Sequence, residues 1–162
     1  MIQLKCTLTI LIFISFSLCL LNCSQEANLL PEELYGCKLT THLSGEEAKS
    51  HVNQLHFQKV AGHSTQMARY EGENGPITIY ITTYLNKTQA EEDYKKMTQK
   101  ISPENSVFIA GEYLEIGEKE LYRCFGMGQT HFVLVHQKHL IWLSVDTIRA
   151  NKILEAYLKN LK

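Results

Sequence analysis

The spacing of apolar residues changes period several times along the chain. Ala48, Val52 and Leu55 are separated by four and then three positions, which puts them on one face of a helix. Ser44-Gly45-Glu46-Glu47 in front of them reads as a capping box, with Ser44 facing the N3 amide and Glu47 reaching back. Ala90, Tyr94, Met97 and Ile101 repeat the helical spacing behind a second capping box, Thr88-Gln89-Ala90-Glu91, and Pro103 ends the run. A third helix is expected from Thr147 onward, with Ile153, Leu154, Tyr157, Leu158 and Leu161 on its buried side. Lys159 and Lys162 suit the negative end of its dipole.

Elsewhere the period falls to two. Ile77, Ile79 and Ile81 alternate with Thr78, Tyr80 and Thr82, a strand with one apolar side. Gln66 to Glu71 reads as its partner across the turn Gly72-Glu73-Asn74-Gly75-Pro76. Three further strands are expected at Leu121–Phe125, His131–His136 and Leu140–Val145. Their separators, Gly126-Met127-Gly128-Gln129 and Gln137-Lys138, have hairpin length. Phe108–Ala110 and Tyr113–Ile116 add edge pieces. Short turns require antiparallel neighbours. The expected fold is α+β: a twisted antiparallel sheet of about five strands with about three helices packed mainly on one face. The other face would carry the Thr and Tyr residues.

The N-terminus follows neither period. Leu8 to Leu21 is apolar almost throughout and carries no charge. That stretch has the length of a signal-peptide core, whereas a bilayer-spanning helix needs about 20 residues. Leu20-Leu21-Asn22-Cys23-Ser24 then resembles the lipobox of bacterial lipoproteins, in its relaxed, spirochaetal form because Asn22 stands where Gly, Ala or Ser is usual. The resemblance implies diacylglycerol on the Cys23 thiol, cleavage before Cys23 and acylation of its new amine. Ser24 is not the Asp that retains such proteins in the inner membrane, so the implied address is the outer membrane. The alternative is an ordinary signal peptide cleaved near Cys19 or Ser24, giving a soluble secreted protein. The resulting division is a signal peptide over 1–22, a lipidated tether over 23–28 and one α+β domain over 29–162.

Composition narrows the function. The chain is 44% hydrophobic and 20% charged, enough apolar material for a core. Its 16 basic and 17 acidic residues form no basic stripe, so no nucleic-acid partner is expected. Nothing is repeated or low in complexity.

With Cys23 assigned to lipid, Cys37 and Cys124 are the two thiols of the folded domain. In an oxidising compartment they are a candidate disulfide, and two separate buried thiols are the alternative. The histidines are His42, His51, His56, His63, His131, His136 and His139. His51 and His56 fall on different helix faces, and His136 and His139 flank a turn. No HExxH or paired CxxC is present, so no metal or other cofactor is expected. Gly126-Met127-Gly128 lies between two strands and reads as a hairpin turn rather than a phosphate loop. Asn86-Lys87-Thr88 matches a glycosylation pattern but reads as a strand end followed by the cap Thr88. The expected function is a non-catalytic, lipid-anchored binding domain of the cell envelope, taking a protein or a small ligand through the open sheet face or the strand-connecting loops, with an envelope or host protein as one candidate partner. Its eight tyrosines, several of them in strands, could supply a recognition surface. An envelope enzyme using Cys124 or the histidines is the alternative.

Overall fold

The computed structural model describes residues 28–56, 63–101 and 106–161. The signal segment, Cys23, residues 24–27 of the tether, and Pro103 lie outside them. The described elements run β1 (Glu33–Leu34), β2 (Cys37–Ser44), α1 (Gly45–His56), β3 (Ser64–Glu71), β4 (Ile77–Thr83), α2 (Lys87–Lys100), β5 (Ile109–Ile116), β6 (Lys119–Gly126), β7 (Gln129–His136), β8 (His139–Asp146) and α3 (Ala150–Asn160). A single 3-10 turn, Thr147–Arg149, joins β8 to α3. No described helix is long and apolar enough to cross a membrane.

The strands form one antiparallel sheet in the order β1-β2-β3-β4-β8-β7-β6-β5. Among the described residues, the α+β class, the antiparallel sheet and the three helices agree with the sequence pattern, but the sheet has eight strands rather than about five. Three strands make the difference: β1, which is only two residues long, β2 and β5. β2 alternates in burial from Cys37 to Ser44, yet its inner side holds Cys, Leu and Thr rather than a row of branched apolar residues. Its pairing with β3 also shifts register between Leu39 and Thr41. The edge pieces 108–110 and 113–116 fall, apart from Phe108, in one strand, β5, interrupted by a shift between Ile109 and Glu112.

The helices do not gather on one face. Along β8, Ile141, Leu143 and Val145 join the cluster under α3, which contributes Ile153, Leu154, Tyr157, Leu158 and Leu161. Leu140 and Trp142 point the other way, into a cluster with Ala90 and Tyr94 of α2. β7 divides alike, Phe132 and Leu134 to one side and Val133 and Val135 to the other. Consecutive apolar residues in Phe132-Val133-Leu134-Val135 and Leu140-Ile141-Trp142-Leu143 are the signature of strands covered on both faces. The Thr and Tyr side is therefore not open: Thr82 and Tyr84 are buried, Tyr84 in the α2 cluster. α1 lies against β2 and β3 with Ala48 and Val52 buried.

One helix start differs from its expected cap. The N-cap of α2 is Asn86, whose side-chain oxygen accepts the Gln89 amide at 3.0 Å; Thr88 is already inside the helix. Asn86 suits this role as well as Thr does, and its amide oxygen, two residues before Thr88, captures the free N–H of the third helical residue, Gln89. Ser44 is the last residue of β2, and α1 follows at once. The third helical segment opens with Asp146 accepting the Ile148 amide at 3.0 Å.

Candidate functional site

Cys37 and Cys124 are free and fully buried. Cys37 lies in the α3-side cluster on β2, Cys124 in the α2-side cluster on β6. Strands β3, β4, β8 and β7 stand between them. Five interstrand steps separate them by about 24 Å, whereas a disulfide joins Cα atoms under about 7 Å apart. The candidate disulfide within the chain is thereby excluded. Burial pushes the Cys124 thiol up to about 12, so it stays protonated at neutral pH and packs as a small apolar group. The Cys37 Sγ donates weakly to the Gly75 carbonyl at 3.3 Å.

The histidines scatter. His42 meets Gln66 at 3.1 Å on the surface, and His139 meets the Thr83 hydroxyl at 3.0 Å. His136 accepts from the Lys119 ammonium at 3.4 Å; burial, and then the Lys119 charge, hold its pKa below the usual value. No three His, Cys, Asp or Glu side chains converge on a metal position among the described residues.

His131 is different. It is buried on the α2 side of β7, directly across from Ser144 on β8. Its Nε2 lies 3.0 Å from the Gly126 carbonyl, which can only accept, so that nitrogen carries the proton. Its Nδ1 then accepts from the Trp142 indole at 3.1 Å, with the Ser144 hydroxyl 2.9 Å away. The indole N–H also reaches Ser144 Oγ at 3.0 Å. Burial lowers the His131 pKa, only partly offset by the bond to Gly126, and keeps the ring neutral. Phe108 closes the cluster, edge-on to His131 at 4.9 Å and tilted over Trp142 at 5.3 Å. A side chain at Gly126 would run into the Phe108 ring, since an added Cβ would come within 2.5 Å of it.

This cluster fixes the wall of a surface groove. Phe108 points inward, and its neighbours Val107 and Ile109 are left outside, 68% and 57% exposed. Across from them the β6–β7 hairpin turns through Met127 and Gly128, both at positive φ, and carries Met127 out to 71% exposure. These residues line a cavity of about 410 Å³. Phe125 and Thr147 are shared with a second cavity of about 400 Å³, lined also by Arg123, Lys152 and Ile148. Ile148 is 88% exposed. Arg123 lies over the Phe125 ring at 5.5 Å and is paired with Glu112. The two adjoining grooves thus carry four large, exposed apolar side chains with one cation already neutralised. Such a patch is suited to binding another surface.

The sequence pattern found the hairpin at Met127-Gly128 but not its role. His131, Trp142 and Ser144 share one strand face by simple alternation, and only the β7–β8 register shows that they meet. Ile148 looked like part of a helix and instead sits on the 3-10 turn ahead of it.

No known protein family matches the chain, and no curated protein matches it in sequence. The fold is similar to the crystal structure of a GTP binding regulator from Thermotoga maritima. The two share 15% identity with a TM-score of 0.51, over 80% of this chain and 77% of that one. At that identity the likeness extends to the fold alone.

Proposed function

We propose that the chain is an outer-membrane lipoprotein, anchored through lipid on Cys23, whose domain is a non-catalytic binding module for an envelope or host protein. The reading of the anchor is supported by the Leu20-Leu21-Asn22-Cys23 pattern. Two acyl chains make a stable anchor, since each buried methylene contributes about 0.8 kcal/mol. Leu29 and Leu30 already pack against the core, and the Tyr157 hydroxyl donates to the Leu29 carbonyl at 3.0 Å. The tether between lipid and fold is therefore short, with a reach of roughly 20 Å even when extended.

The observation that carries the binding reading is the exposed apolar set Val107, Ile109, Met127 and Ile148 over two adjoining grooves. Leaving such groups in water costs about 25 cal/mol per Å² of apolar surface, which a partner recovers on covering them. Photo-crosslinking in the native cell tests it. A benzophenone side chain at position 127 or 148 is expected to trap a discrete protein adduct. The same group in place of Lys96, on the exposed side of α2, is expected to trap none. Failure at both groove positions would contradict the binding reading.

A further inference from the structure

The apolar groove ends at Ile109, and Ile109 opens the last strand of the sheet. β5 pairs only with β6, so its outer backbone groups meet no other strand among the described residues. Seven of its eight residues are exposed. Tyr113 and Ile116 are apolar and exposed on opposite faces of this strand. The register shift after Ile109, where Ala110 takes a φ of +50°, confines regular pairing to Glu112–Ile116.

The charges along that stretch are unbalanced. Glu112 is neutralised by Arg123. Glu115 stands directly across from Glu120 on β6, both exposed, and neither joins an ion pair among the described residues. Like charges placed opposite one another destabilise a strand pair. A cation laid beside Glu115 from outside would reverse that sign. A second copy of β5 is the poorer occupant, since it brings the same carboxylates to the edge.

We infer that the outer edge of β5 takes an extended segment of a partner protein as a ninth strand, with a basic side chain opposite Glu115 and apolar side chains opposite Tyr113, Leu114 and Ile116. This rests on the binding reading above and names the chemistry of the partner. Main-chain hydrogen bonds supply part of the affinity, and the charge and apolar pattern supplies the selection. Acidic edges normally deter strand pairing; this one deters acidic and self pairing while admitting a basic strand.

The test uses the full chain in detergent micelles and a capped peptide, Ser-Ser-Val-Lys-Val-Val-Ser-Ser, followed by hydrogen exchange with mass-spectrometric readout. Peptide binding is expected to slow exchange in residues 109–116. The double variant Glu115→Lys, Glu120→Lys is expected to bind it roughly tenfold more weakly. A peptide with Glu in place of its Lys is expected to fail on the native chain and to recover binding on that variant. Unchanged exchange in β5 at millimolar peptide would overturn the inference. So would equal protection by a peptide N-methylated at alternate residues, or self-association through β5 in sedimentation. Adducts at position 127 or 148 alongside a failed peptide would sink the edge-strand inference alone; absent adducts would sink the binding reading itself.

Discussion

The two faces of the sheet are closed by different chemistry. Under α3 the contacts are mainly aliphatic, with Ile77, Ile79, Ile81, Leu134, Ile141, Leu143 and Val145 against Ile153, Leu154 and Leu158, beside the rings of Tyr70, Phe132 and Tyr157. Under α2 the cover is built from rings and polar atoms. Tyr113 meets Tyr122 edge-on at 5.0 Å, and the Tyr122 hydroxyl donates to the Ile101 carbonyl at 3.0 Å. His131, Trp142 and Ser144 complete their own network beside it. Apolar packing is strong but undirected, so the α3 side secures the fold with few directed contacts, Tyr157 to the Leu29 carbonyl and Cys37 to the Gly75 carbonyl. The α2 side holds the His131, Ser144, Trp142 and Tyr122 polar atoms in place through these bonds, while the Tyr94 hydroxyl beside them meets no hydrogen-bond partner among the described residues. The groove is attached to that directed side, through Phe108 and the Gly126 carbonyl. Stability and presentation are thus divided between the two faces.

The largest test of that division is Phe132→Ala on the α3 side. Truncating a fully buried ring is expected to cost about 3–5 kcal/mol in urea denaturation. His131→Ala, one position earlier on the other face, removes the partner of the Trp142 indole and the Gly126 carbonyl. Its expected cost is about 1–3 kcal/mol. It should also change the near-UV dichroism of Trp142, which Phe132→Ala changes less. Equal costs, or an indole signal indifferent to His131, would break the comparison.

The smallest effect is the response to acid. Burial depresses the folded-state pKa of His131 below its unfolded value near 6.5. The neutral ring's contribution is fully present above that unfolded value. It is lost as pH falls below it and through the folded value, because the unfolded chain takes up the proton first. His136 shifts in the same direction. Denaturation midpoints should therefore fall between pH 7.5 and 5. His131→Phe should flatten part of that slope, whereas a variant of the α3 side should leave it unaltered.

Much of the fold was legible because its signals are local. Ile77-Thr78-Ile79-Tyr80-Ile81 reads as a strand without help, and Ile153, Leu154 and Tyr157 read as a helix face. β2 was not legible, because its inner positions are filled by Cys37, Leu39 and Thr41 and its register slips between them. The second covered face was written in the unbroken apolar runs of β7 and β8, which alternation alone does not interpret. The disulfide could not be judged from spacing, since the distance between Cys37 and Cys124 is set by the strand order. The groove was least legible of all. It depends on Phe108 turning inward beneath Val107 and Ile109, which only the packing against His131 and Trp142 determines.

We propose that lipid on Cys23 holds this domain to a membrane. Intact-mass and peptide spectrometry of the protein purified from its native membrane tests it most directly. The expected mature N-terminus is Cys23 carrying diacylglycerol and an amide-linked acyl chain. An unmodified N-terminus at Ser24 or elsewhere, or an intact Met1, would contradict the account.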